Sequence, residues 1–427
     1  MALLEDANHA QDVRSVFREM LRENDSLLRK EKRDAEHAGR RGISLGKFGG
    51  TKPSLADVEA AALQLKKKAG GSENRLNDLN LLQAAFSFPG EGFGEAFVKI
   101  DGALPALVRD LSGQDSSLQL KSTYCCANLA LAGPDIGLKV AKAAAPYLMT
   151  HLQGMNQILL EASLWAVGSL SGTGIPALKV LEVQGIFPQI IAIMQRYHPP
   201  TCSTTPLQES SQTKLQEIRV IEAVLYAATL CVSAGLPDNI KSSDIEGLAA
   251  AAVPLLDRSN SIFLARLMYL YFVLSCSESS EEILLNYNVV NKIILLLDEI
   301  RVVTSPGSTE CSNYGFLIQV LTYIIRTLGN LCSGERGRST FESMSEIISP
   351  ILNNVLKALP YLPMHLLKET LWFIMQLLKP YAQWSDGVLQ VCQCPWTVLA
   401  APVNSSLKLQ SNRFNLGATL ISEGTDS

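Results

Sequence analysis

Trp165-Ala-Val-Gly-Ser169-Leu-Ser-Gly172 is one of three stretches of this chain that read alike. The others are Tyr124-Cys-Cys-Ala-Asn128-Leu and Arg326-Thr-Leu-Gly-Asn330-Leu-Cys-Ser-Gly334. In each, a large side chain is followed four positions later by a small or polar one, and then by an apolar residue. A spacing of four puts both side chains on one face of a helix, one turn apart. Lys368-Glu-Thr-Leu-Trp372-Phe-Ile-Met-Gln376 is a fourth copy, and Tyr226 and Tyr269 stand at the equivalent point of two more helices.

With the large residue as a marker, the gaps between Tyr124, Trp165, Tyr226, Tyr269, Arg326 and Trp372 are 41, 61, 43, 57 and 46 residues. The two long gaps contain polar stretches rich in turn formers, 199–213 and 304–314, whose composition predicts loops. Without them the period falls near the roughly 40–47 residues of armadillo and HEAT repeats. Gly102-Ala-Leu-Pro105 and Gly185-Ile-Phe-Pro188 lie two periods apart, each ahead of an apolar run. Proline is tolerated in the first turn of a helix because its missing N–H would be unpaired there, and the glycine ends the helix before it. Each unit therefore reads as a short helix, a tight turn and two longer antiparallel helices. One such unit cannot bury its apolar face alone, so units stack. The prediction is an all-α, right-handed superhelical solenoid of about seven degenerate repeats over residues 54–380, after a charged N-terminal helix and linker (1–53) and before an irregular tail (381–427).

Composition fits that prediction. The chain has 427 residues and is 47% hydrophobic, as expected where middle helices are buried on both sides. Its 37 Lys and Arg against 41 Asp and Glu give a net charge of −4, which argues against nucleic acid as a partner. Nine cysteines, an odd number, and a start of Met-Ala-Leu-Leu-Glu-Asp predict free thiols in a reducing setting, cytoplasmic or nuclear. Cys125, Cys126, Cys231, Cys276 and Cys332 fall in apolar helix patterns, and Cys392-Gln-Cys394 has no matching pair for a zinc site. The most apolar stretches, 261–277 and 315–332, are interrupted by Arg266 and Arg326. Buried solenoid helices explain them better than membrane spans, which need about 18 or more consecutive apolar residues.

Nothing in the sequence points to catalysis. His9, His37, His151, His198 and His365 stand alone, and none belongs to a metal-ligand spacing. There is no phosphate-binding loop and no dinucleotide fingerprint. Gly168-Ser-Leu-Ser-Gly172 resembles a nucleophile elbow, but its central position is Leu170. The expectation is a non-enzymatic chain without cofactor or metal.

Glu161-Ala-Ser-Leu-Trp165-Ala-Val-Gly-Ser169-Leu-Ser-Gly172-Thr173, followed by Gln184-Gly185-Ile-Phe-Pro188, resembles an armadillo repeat of the importin-α type. Arg326-Thr-Leu-Gly-Asn330 is similar to the variant in which Arg replaces Trp. The resemblance implies a concave groove lined by the third helix of each repeat. In that family Trp side chains form walls between which the Lys stems of an extended import signal lie, and Asn amides clamp the peptide backbone. Carried onto this chain, the groove residues are Tyr124 with Asn128, Trp165 with Ser169, Arg326 with Asn330 and Trp372 with Gln376. The ladder is partial: Ser169 is shorter than Asn, Tyr226 and Tyr269 face Leu230 and Val273, and Arg326 puts a cation where a ring should be.

Residues 12–41 hold nine basic and seven acidic side chains with a narrow apolar stripe. Within them Leu28-Arg29-Lys30-Glu31-Lys32-Arg33, and then Arg40-Arg41, resemble the second half of an importin-β-binding domain. The resemblance implies importin-β as a partner. The charge pattern alone equally describes a solvated helix or a short coiled-coil arm. The function implied is an adaptor that binds protein or peptide cargo for import into the nucleus. The alternatives are a general armadillo scaffold without a transport role and a membrane-associated protein.

Overall fold

The computed structural model describes residues 52–67, 71–88, 90–197, 211–236, 238–257, 263–299, 314–344 and 364–378. These form helices joined by turns, and no strand occurs among them. The basic N-terminal residues Arg29, Lys30, Lys32, Arg33, Arg40 and Arg41 and the 381–427 tail lie outside the described residues, as does most of the two polar insertions. The chain divides into two compact units, with the boundary between Tyr287 and Asn288.

The first unit opens with α1 (Leu55–Lys66) and α2 (Ser72–Ala85). A full repeat follows: α3 (Phe93–Lys99), α4 (Ala103–Leu111) and α5 (Ser116–Leu129). The next consists of α6 (Pro134–Gln153) and α7 (Gln157–Ser171), and the third of α8 (Ile175–Val183), α9 (Ile186–Arg196) and α10 (Ser211–Gly235). α11 (Ser242–Ala252), α12 (Leu264–Ser275) and α13 (Glu278–Asn286) complete the unit. The second unit holds α14 (Val289–Glu299), α15 (Tyr314–Ser333), α16 (Glu335–Ser343) and α17 (Met364–Leu378). A short helix, a bend and two longer helices at a period near 41 residues is the three-helix armadillo arrangement.

The bend is where the sequence rule acts. Gly102 and Gly185 sit at φ 77° and 83°, a left-handed conformation that costs other residues roughly 1–2 kcal/mol. At Gly185 the axes of α8 and α9 turn by 72°. The repeat between them has alanine at this point: Ala143 stands 41 residues after Gly102 and 42 before Gly185. Without glycine the chain does not break, and the short and second helices merge into the 20-residue α6, with Pro146 inside it. Ahead of α14 the same role falls to Asn288, at φ 58° the one non-glycine with positive φ among the described residues. Asparagine tolerates that region better than other side chains.

Third helices begin in a repeated way. Asp115 caps α5 by accepting from the Ser117 and Leu118 amides, and Asn156, one period later, caps α7 through Ile158 and Leu159. α10 begins at Ser211, three residues inside the stretch whose composition predicts a loop. In the first unit α2, α5, α7, α10 and α12 pack neighbour against neighbour, and in the second α15 packs on α17. Ala162 to Ser171 of α7 and Val220 to Val232 of α10 are buried without interruption.

One buried ion pair ties the start of the stack together. The Arg75 guanidinium donates to both carboxylate oxygens of Asp110 and to the carbonyls of Leu65 and Lys67, joining α2 to α4 and closing the end of α1. Cys125, Cys126, Cys231 and Cys332 are buried free thiols, and Cys276 is half-buried. Burial pushes the Cys126 and Cys231 thiols up to about 12, which makes them unreactive near neutral pH.

Of the two apolar stretches singled out above, the first forms only the twelve-residue α12. By length and composition alone, two described helices could cross a membrane, Leu215–Gly235 and Gly315–Ser333. The earlier of these was not among the stretches expected. Both are third helices, and 72% of each apolar window is buried inside the fold.

His151 is buried near the end of α6, where its Nδ1 lies 3.3 Å from Ser163 Oγ on α7. Burial lowers its pKa, against a smaller raising effect of a hydrogen bond with the Leu111 backbone. The unfolded chain therefore takes up the proton first. Stability is complete above the unfolded value near 6.5 and falls as the pH drops through it. His151→Gln, which keeps a polar group but cannot titrate, is expected to flatten the fall in melting temperature between about pH 6.5 and 5, measured by circular dichroism. An unchanged slope would place the acid sensitivity elsewhere.

Candidate functional site

The marker residues do fall at one phase of successive third helices, but the side chains of Trp165, Tyr226, Arg326 and Trp372 serve the stack itself. Trp165 is 6% exposed and Tyr226 7%. Their rings meet between α7 and α10 at a centroid distance of 4.2 Å and an interplanar angle of 39°. Tyr226 packs against Gly168: a Cβ there would stand 2.8 Å from its Cε1. The second unit repeats the device, with the half-buried Trp372 of α17 on Gly329 of α15, where a Cβ would lie 2.1 Å from Cζ3. In both pairs the glycine comes three residues after a marker and receives the marker ring of the next third helix. Glycine costs about 1 kcal/mol inside a helix, and the close approach of the ring is what it permits.

The partners four residues on also face inward. Asn128 is buried, and its Nδ2 donates to the carbonyl of Gln83 at 2.9 Å, near the end of α2. Ser169 Oγ shares a hydrogen bond of 3.2 Å with the Tyr226 hydroxyl. Asn330 is buried in α15. Gln376 is buried too, and its Oε1 has no hydrogen-bond partner. Tyr124 is half-buried on α5. The structure thus brings Trp165, Ser169 and Tyr226 together in the first unit, and Arg326 with its neighbours on α17 in the second.

Two acids and an arginine belong to these clusters without having been expected there. Arg266 of α12 lays its guanidinium over both rings, 5.2 Å from the Trp165 centroid and 5.8 Å from that of Tyr226. Such contacts contribute about 0.5–2 kcal/mol, more as water is excluded. Its Nε lies 3.9 Å from Glu222 Oε1 on α10, and its side chain is 19% exposed. In the second unit Arg326 Nη2 donates to Glu369 Oε1 at 2.7 Å, both side chains being nine-tenths buried. The cation that stands where a ring should be is neutralised by the next third helix. The available signal was charge on an otherwise apolar helix: Arg266 alone within 264–275, and Glu369 beside Lys368 within 364–378.

No protein-family model matches this chain. Among solved structures, an engineered protein is 16% identical to it, with a match spanning 82% of this chain and 75% of the other and a TM-score of 0.58. A designed armadillo repeat protein in complex with the peptide (KR)4 is 14% identical, with 64% of this chain and 99% of the other matched and a TM-score of 0.48. The first likeness shows a common fold and nothing of function, and the second overlaps too loosely to support an argument.

If ring-on-glycine contacts hold third helices together, a methyl group should separate them. Gly329→Ala is expected to cost about 1–3 kcal/mol through overpacking, in spite of alanine's better helix propensity. The measurement is the urea midpoint of the whole chain, and a gain in stability would show that Trp372 shifts without penalty.

Proposed function

We propose that this chain is a non-enzymatic armadillo-type scaffold that binds segments of other proteins. The observation that supports this reading is the stacking of third helices within each unit, with the markers at equivalent points of those helices. A stack of that kind offers repeated, equally spaced positions to an extended partner. A reducing compartment, cytoplasm or nucleus, fits the buried free thiols. The two long apolar helices belong to the stack in this reading and do not span a membrane.

A narrower form of the proposal is an import adaptor that takes basic signals on the third-helix face and engages importin-β through residues 12–41. What favours it is that Trp165, Tyr226 and Trp372 occupy the marker phase. What weighs against it is the burial of Trp165 beneath a cation of the same chain.

Selection of a displayed random-peptide library on the full chain tests the scaffold. Peptides of micromolar affinity that bind less well to Tyr124→Ala are the expected result, and failure to enrich any sequence would remove the proposal. Fluorescence anisotropy with a labelled basic import-signal peptide separates the two forms. The broad form expects a dissociation constant weaker than about 100 μM, roughly −5.5 kcal/mol. Tighter binding that is lost in Trp165→Ala would establish the import form instead.

A further inference from the structure

A tilted pair of aromatic rings with a carboxylate beside it is a receptor for a cation. The rings supply negative π faces and the acid a counter-charge, and an alkyl stem can lie along the indole. Trp165, Tyr226 and Glu222 make such a receptor between α7 and α10. The structure already contains its occupant. Arg266 reaches back from α12, places its guanidinium over both rings and sets its Nε towards Glu222.

We infer that Arg266 is an internal ligand of this receptor, and that it sets the specificity of the third-helix face by shutting out the Lys or Arg side chains of a partner segment. This rests on the reading of the third-helix face as the surface that meets peptides. The physical reason is competition at one site. Arg266 is covalently part of the array, so its effective concentration at the rings exceeds that of any free peptide, and an incoming cation must displace it. Displacement also leaves a guanidinium close to the entering positive charge.

Arg326 and Glu369 show the same economy in the second unit. A cation on one third helix is matched by an acid on the next, 2.7 Å away, and the pair is buried. In each unit, then, the charge on a third helix that could meet a partner is met by a neighbouring third helix of this chain. In neither unit does such a face favour a basic segment.

The test uses the full chain in four forms: wild type, Arg266→Ala, Arg266→Gln, and Arg266→Ala combined with Trp165→Ala. Arg266→Gln retains bulk and hydrogen bonding and serves should the alanine variant fail to fold. The first probe is a labelled (Lys-Arg)4 peptide followed by anisotropy. The second is methylguanidinium chloride, followed as a change in melting temperature against the same concentration of sodium chloride.

Removing Arg266 is expected to tighten peptide binding by about tenfold or more, and the double variant is expected to lose that gain. Methylguanidinium is expected to raise the melting temperature of Arg266→Ala and leave the wild type unchanged. Equal peptide affinity for wild type and both single variants, together with sensitivity to Trp165, would overturn the inference, because the receptor would already be open. Rescue by methylguanidinium without peptide binding in any form would uphold Arg266 as the receptor's ligand and refute the peptide-binding face. Absence of both rescue and binding would overturn the inference.

Discussion

Everything in this fold depends on one third helix lying against the next. The period of about 41 residues leaves room for one large side chain per contact, and that side chain needs somewhere flat to go. Gly168 and Gly329 provide it by leaving bare backbone under Tyr226 and Trp372. The rings then fill the space between the helices, and the residues around them lose their exposure. The uninterrupted burial of α7 from Ala162 to Ser171 follows from this arrangement.

Close stacking imposes a condition on charge. A guanidinium or carboxylate between helices loses water and must find an opposite charge or an aromatic face. Arg75 meets it with Asp110 and two carbonyls, Arg326 with Glu369, and Arg266 with two rings and Glu222. Buried pairs of this sort add little net stability, since desolvation offsets attraction. They do discriminate between registers, because a third helix displaced by one turn would leave both partners unpaired in the interior.

Much of the fold was legible because it is written in local rules. Gly102 and Gly185 mark the bends since a left-handed residue is costly for other side chains, and the loss of that glycine at Ala143 accounts for the merged α6. The markers reveal the period because each contact needs one large residue. The arrangement of the candidate site was harder to read. In sequence, Arg266 is a charge within an apolar helix, and the same letters would describe a cation facing water or a cation facing rings. Which it is depends on the offset between α10 and α12, set by packing over residues 40 or more positions apart. Asn128 illustrates the same limit: its amide could have clamped a peptide, and the turn at the end of α2 places the Gln83 carbonyl within its reach instead.

The four rungs differ in what they do with their second residue. Asn128 bonds a backbone carbonyl, Ser169 a tyrosine hydroxyl, Asn330 is buried in α15, and Gln376 keeps a buried acceptor without a donor. The first residue is alike in its bulk, and Trp165, Arg326 and Trp372 are alike in their service to the stack. Stacking asks only for volume and a flat neighbour, and Trp, Tyr or a paired Arg can all supply that. Recognition asks for particular donors and acceptors facing outward, and those can be lost while the volume is kept. A repeat can therefore keep its period and its fold while its rungs turn inward one at a time, so the period reports on packing and does not by itself identify a ligand.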